Sequence, residues 1–377
     1  MDAHSPFAPS SAARWVNCPA SIAMARKYPE VCADPDAAED GTAAHWVCSE
    51  RLCGRDVPAG TIAPNGVEIT DEMVEGADLY EDDVVGTLGG LPMHVEQPVA
   101  IPSVHPECWG TPDVWASPSS MLYLWDYKFG HKPVDPFENW QLTAYASGIL
   151  DHLGVTGLGD QHTRVVFRIV QPRSFHRDGP VREWSCMASD LRAAINRLHH
   201  SAHDKYQTFH VGPECGYCPG RHACAALQFS TMRDADFAAQ DVPPVDLAPE
   251  AAALELRLLQ AAAERIQARV TGLEAQVLST LRSGVAVPGY RVEFGSGRER
   301  WERPVEEVLA LGSMLGVDLA KPAAAITPVQ ARKAGIPAEV VAAYAARPTG
   351  AARLTPDDGS LARRIFAHGI DRTVNSK

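Results

Sequence analysis

Two apolar runs, TPDVWAS and MLYLWDYKF, are separated only by Ser117–Pro118–Ser119–Ser120. Nothing constrains the fold of this chain more tightly. Both runs are rich in β-branched and aromatic residues, and a four-residue linker of turn formers leaves them one arrangement, an antiparallel hairpin. The hairpin places Asp113 on one strand and Asp126 and Lys128 on the next. Residues two apart on a strand project from the same face, so Asp126 and Lys128 lie together. The following ENWQLTAYASGIL reads as a helix, and VVFRIV (Val165 to Val170) is a continuous apolar run broken by one arginine, the pattern of a buried strand.

Outside this segment the chain reads mostly as helices. Ser10 and Ser11 are placed to cap a helix through AARWVNCPASIAMA, and a second helix runs from Gly41 through HWVCSERL. MHVEQPVAI reads as a strand, and DLRAAINRLHHSAHDKY as a helix followed by a cysteine-rich loop. FAAQDVPPVDLAPE, with adjacent Pro243 and Pro244, reads as a linker. A long helix from about Pro249 to Ser283 should end at Gly284. Its Leu254, Leu258, Ile266, Leu273, Val277 and Leu281 recur at three- and four-residue spacing, as an amphipathic packing face does. YRVEF and VEEVLALGSML suggest a small α+β appendix, and the Ala/Arg/Pro/Gly-rich tail from about Ala346 reads as loosely structured. The organisation expected is a domain over 1–230, a linker over 231–247, and a C-terminal region over 248–377.

The length, 377 residues, fits two domains or one large domain with an appendix. No apolar stretch approaches the roughly 20 residues that span a bilayer, and MDAHSPFAPSSAARW lacks the layout of a secretory signal. A cytoplasmic protein is expected, in which nine cysteines serve as thiols or metal ligands rather than disulfides. The net charge of −13 is concentrated: from Glu30 to Glu96, sixteen acids face only Arg51 and Arg55, a balance of −14, so the rest of the chain is near +1. The densest part, Glu68 to Asp83, reads as a helix with Met73, Ala77 and Val84 turned inward. Arg164, Arg168, Arg173, Arg177 and Arg182 fall within nineteen residues and suit either solvent-facing strands or a phosphate-following track.

Hard divalent ions take carboxylate oxygens and keep some waters. Asp113 and Asp126 could therefore hold such an ion against a phosphodiester, with Lys128 orienting water or stabilising developing charge. Upstream, GTAAHWVCSE places His45 and Glu50 on a helix; a histidine ligand tilts preference toward Mn²⁺ over Mg²⁺. Downstream, Gln141 and Tyr145 share a helix face. Cys215, Cys218 and Cys224 are spaced x2 and x5, a metal-binding signal that lacks a fourth ligand. Cys18 is the best candidate, and His222 offers a local Cys₃His zinc alternative. The spacing alone does not choose iron–sulfur over zinc.

The order G-x-x-x-H, G-x-x-D, D-x-K and Q-x-x-x-Y resembles the RecB-like branch of the PD-(D/E)XK nuclease superfamily. The resemblance implies an α/β fold, a restriction-endonuclease-like core whose central mixed sheet is flanked by helices. It implies His45, Asp113 and Asp126 as Mg²⁺ or Mn²⁺ ligands, Lys128 as the catalytic lysine, and Gln141 and Tyr145 as a nucleic-acid grip; Glu50 is a weaker candidate behind the ligands. One cysteine before the nuclease motifs and three after them resemble the iron–sulfur relatives of AddB and CRISPR-associated type. By that resemblance Cys18, Cys215, Cys218 and Cys224 bind a [4Fe–4S] cluster that staples the domain ends, with Zn²⁺ the alternative. The opening SPSSAARWVNCPAS and the later VPGYRVEFGSGRERW are similar to a phage and prophage group, which implies a bacterial host cell, recombination or DNA-end processing, and partnership with a single-strand annealing protein. The function expected is a metal-dependent DNA exonuclease. Its rivals are a non-catalytic DNA-binding scaffold and a nuclease subunit beside a partner helicase, since no G-x-x-x-x-G-K-[ST] loop is present. The oligomeric state stays open, a homo-oligomer included.

Overall fold

The computed structural model describes residues 5–28, 35–238, 246–292 and Glu339. The chain divides into two compact units, one formed by Met1–Tyr290 with Asp358–Lys377 and the other by Arg291–Asp357. The helix expected in VEEVLALGSML and the tail from Ala346 lie outside the described residues, and of YRVEF only Tyr290, Arg291 and Val292 are described, without strand structure.

In the first unit the hairpin forms as the sequence dictates. Strands β1 (His94–Val95), β2 (Val99–Ala100), β3 (Trp109–Gly110), β4 (Val114–Ala116) and β5 (Met121–Tyr127) precede helix α5 (Trp140–His152), then β6 (Arg164–Val170) and β7 (Val181–Met187). A five-stranded sheet has the order β1-β4-β5-β6-β7, and β2 and β3 make a separate ribbon. β4 pairs antiparallel with β5, Val114 opposite Trp125. β5 and β6 run parallel, joined through α5, with Asp126 opposite Ile169 and Tyr127 opposite Val170. β7, which the sequence reading did not single out, closes the sheet antiparallel to β6. The fold is α/β with a mixed sheet flanked by helices.

β5 is apolar at nearly every position because both its faces are covered. One face carries Leu122 and Leu124 against α5 and two flanking helices, α1 (Ala12–Asn17) and α6 (Ala188–Ala202), with Trp15, Leu142, Ile149, Phe167 and Ile195 buried among them. The other carries Trp125 and Tyr127 against α3 (Pro35–Leu52) and α4 (Asp71–Leu88). Each such side chain contributes roughly 1.5–3 kcal/mol relative to exposure. Met73, Ala77 and Val84 of α4 turn inward as its periodicity requires. Thr70 caps the helix by accepting from Met73 N, and Gly89, at φ +58°, supplies the left-handed residue that ends it.

Three expectations are corrected. The helix expected through residues 12–25 is two, α1 and α2 (Ala20–Lys27), broken at Cys18–Pro19 because a residue before proline is driven out of helical conformation. Ser10 and Ser11 sit in a short 3-10 turn, and Ser11 Oγ donates to Ala8 O instead of capping. The long helix forms as α8 (Pro249–Arg282), following α7 (Ala225–Ala238), but Leu254, Leu258, Ile266 and Leu273 remain exposed. Its buried residues are Ala268 and Gly272, on the face that packs against α7 and the cysteine loop. Of the linker expected over 231–247, residues 231–238 are helical in α7 and 239–245 lie outside the described residues. No helix among the described residues is long and apolar enough to cross a membrane.

Candidate functional site

The β4–β5 register sets the site. One step beyond the Val114–Trp125 pair, Asp113 and Asp126 face each other at the open end of the hairpin. Asp113 Oδ2 accepts from Tyr127 N at 2.7 Å, which fixes the carboxylate across the strand gap. From α3, His45 Nδ1 comes within 3.4 Å of Asp113 Oδ1. Asp126 Oδ1 accepts from Lys128 Nζ at 2.9 Å and from Gln141 Nε2 at 2.9 Å, while Gln141 Oε1 accepts from Lys128 Nζ at 3.3 Å. Gln141 is in reach because Asn139 caps α5, its side chain accepting from Leu142 N, and starts the helix beside the end of β5.

Asp126 is 3% exposed. Its second oxygen, Oδ2, is buried without a hydrogen-bond partner, an arrangement that costs free energy unless a cation or donor satisfies it. Burial raises the pKa of Asp126 against the pull of Lys128. For Asp113 burial acts upward as well, but His45, Lys128 and the Tyr127 N–H outweigh it and the net shift is downward. Burial pulls the Lys128 ammonium down, yet Asp126 and Asp113 together outweigh that and hold it protonated. His45 follows the same logic: desolvation opposes the charge, Asp113 favours it, and the net shift is upward.

A residue the sequence reading passed over completes the arrangement. His45, Glu96 and Asp113 each offer a ligand atom within 4.8 Å of the others. Glu96 follows β1, and its N–H donates to Asp113 O at 3.0 Å, so the β1–β4 pairing that registers Val95 with Val114 carries it to the site. Its φ of +47° is uncommon for a residue with a side chain and marks a constrained position. Glu96 is exposed as a residue, yet partial burial of its carboxyl and the charge of Asp113 push its pKa up to about 7. Asp126 is not in this trio; its Oδ1 takes Lys128 and Gln141 beside it. Sequence could not select Glu96 from sixteen acids in one block.

Other expected site residues turn elsewhere. Tyr145 is buried and donates its hydroxyl to Thr111 O at 3.0 Å, bracing the segment that carries Asp113, so it faces inward. Glu50 gives its carboxylate to Arg55. Of the five clustered arginines, Arg168 pairs with Asp83 and Glu183, Arg173 with Glu72, and Arg182 is buried in backbone hydrogen bonds; the cluster is not one open phosphate track.

The four cysteines converge. Cys18 stands at the α1–α2 break, Cys215 and Cys218 in short turns, and Cys224 just before α7; all four line one cavity with Arg14, Met24, Phe209 and Leu227. Two sulfurs accept backbone N–H groups, Cys18 from His210 and Cys224 from Leu227, each at 3.5 Å. Burial raises the Cys18, Cys215 and Cys218 thiols, Cys215 to about 11. His222 does not line this cavity: its Nδ1 lies 3.2 Å from Pro219 O and its ring meets Tyr28 edge-on. From α8, Arg269 donates to Arg221 O and His222 O, Arg265 pairs with Asp234, and Gly272 lies so close that a Cβ would stand 2.9 Å from His222 N.

One family model matches residues 4–358, almost the whole chain, and it describes a protein of unknown function (DUF2800). On that match, which takes in both the carboxylate–lysine cluster and the four-thiol cavity, the chain belongs to the DUF2800 family.

Proposed function

We propose that this chain is a metal-dependent deoxyribonuclease with a RecB-like PD-(D/E)XK core, acting as an exonuclease in DNA-end processing or recombination. The observation that carries the reading is the side-chain cluster at the end of β5. There a His45–Glu96–Asp113 trio adjoins a buried carboxylate with one bare oxygen and a lysine held protonated by two acids. These are hard donors of the kind Mg²⁺ or Mn²⁺ takes, and the imidazole favours Mn²⁺. A bound ion would supply Lewis-acid stabilisation of the scissile phosphate and a more acidic water.

The protein's part follows from its hydrogen bonds. Gln141 and Asp126 fix the Lys128 ammonium on the site side of β5, where it can orient the attacking water or neutralise charge on a phosphate oxygen. Tyr127 N and His45 hold the two oxygens of Asp113. Cleavage that leaves 5′-phosphates is expected. The thiol cavity belongs to the same proposal: four thiolates suit a [4Fe–4S] cluster that ties α1–α2 to the segment before α7, its role structural. An intracellular, phage-encoded nuclease partnered by an annealing protein is the setting this reading implies.

The test is hydrolysis of end-labelled single- and double-stranded DNA with Mg²⁺ and with Mn²⁺. Lys128→Ala should lower the rate about 10³-fold, and Asp126→Ala should abolish it. Wild-type protein that binds DNA but cuts none with either ion sinks the catalytic reading and leaves a scaffold.

A further inference from the structure

Because β5 and β6 are parallel, the segments leaving them emerge side by side, and Lys128 N donates to Val170 O at 2.9 Å where they part. Gln171 and Arg182, both buried, knit the two loops at their base. Gln171 Nε2 donates to Gly130 O and Lys132 O, each at 2.7 Å, and its Oε1 accepts from Val134 N. Arg182 donates to Val134 O and Gly179 O. Arg173 lies over the Phe129 ring at 4.6 Å, and His131 Nδ1 is 3.2 Å from Arg173 O.

Above this rigid base the side chains are open. Phe175 is 100% exposed, which leaves a full aromatic face in water with no packing return, and the Arg177 side chain beside it is 67% exposed. Tyr217, from the turn between Cys215 and Cys218, is 60% exposed; Lys132 donates to its hydroxyl at 2.6 Å and lies over its ring at 5.1 Å. In loops 129–134 and 171–180 Arg173 is paired with Glu72, Arg177 lies beside Asp178 at 3.6 Å, and Lys132 reaches Tyr217, so Lys132 and Arg177 are the cations these loops set beside the open rings. Open aromatic rings interleaved with cations suit unpaired bases and their phosphates, whereas a duplex hides its base faces.

We propose that loops 129–134 and 171–180, with Tyr217, form a platform on which a single DNA strand stacks its bases as it enters the site. This rests on the nuclease reading and adds the form of the substrate. The probes are a 12-nucleotide oligothymidylate and a 12-base-pair blunt duplex, with binding read by fluorescence anisotropy in Ca²⁺ and cleavage in Mn²⁺. Phe175→Ala should weaken oligothymidylate binding about tenfold and Tyr217→Ala about as much, with duplex binding unchanged within twofold. A 2-aminopurine placed along the oligonucleotide should be quenched by wild type and brighter with Phe175→Ala. Phe175 is fully open, so the melting temperature of Phe175→Ala should not move. Equal affinities and equal quenching in the variants, with cleavage intact, overturn the platform and leave the nuclease reading standing. Wild-type protein that neither binds nor cuts either DNA overturns both.

Discussion

Glu96 shows how a single side chain reads out its surroundings. Its carboxyl has a pKa of about 7 in the folded chain against 4.5 unperturbed, the work of burial and of Asp113. A carboxyl raised by folding binds its proton more tightly in the native state, so metal-free protein should lose stability as pH rises from about 4.5 to about 7 and change little from this source above that. Glu96→Gln should flatten that slope, visible as a pH-dependent difference in Tm between variant and wild type. Calorimetry should show the same substitution weakening Mn²⁺ binding about tenfold, since a ligand oxygen is lost. Gln171 is the structural counterpart. It satisfies four backbone and side-chain partners from a buried position, so Gln171→Ala should cost about 2–4 kcal/mol in denaturant unfolding by leaving Val134 N, Gly130 O and Lys132 O without that partner. Neither residue carries a signal a single sequence can show. Asp113, Asp126 and Lys128 do, because they share a hairpin and their spacing is local.

At the scale of elements, α8 departs furthest from what its sequence suggests. Its leucines form the visible stripe, but the face that docks is Arg265, Ala268, Arg269 and Gly272, again at three- and four-residue spacing. Hydrophobic periodicity finds apolar faces; it does not find a face that docks through small residues and guanidinium-to-carbonyl bonds. Gly272→Val should push α8 off the cysteine loop, because a Cβ there would already stand 2.7 Å from Arg221 Cγ and 2.9 Å from the His222 backbone. The expected readout is a loss of about 1–3 kcal/mol and faster proteolysis within 249–282. The split between α1 and α2, in contrast, was available in Cys18–Pro19, and proline's effect on the residue before it decides it.

Across the molecule, the four thiols join chain segments some two hundred positions apart. A shared cluster would restrict the unfolded chain as a long-loop cross-link does, by as much as about 5 kcal/mol. Anaerobically purified protein should be coloured, and Cys218→Ala should lose both the colour and a large share of thermal stability; a colourless protein holding one zinc per chain would reverse the choice of metal. Cys108 and Cys186 lie outside this set, and burial raises both thiols to about 12, so iodoacetamide at neutral pH should spare them until the chain is denatured.

Local pattern alone determined the hairpin, the buried strand after it, the helix with Met73, Ala77 and Val84 inward, and the extent of the 34-residue α8. Each is set by side-chain alternation, turn chemistry or caps within a few residues. The tertiary structure alone decided that Glu96 joins His45 and Asp113, that Tyr145 turns inward, that most of the arginine cluster is internally paired, and which face of α8 docks. Those outcomes depend on which strand lies beside which and on what each buried polar atom finds within reach, and neither is a property of neighbours in the chain.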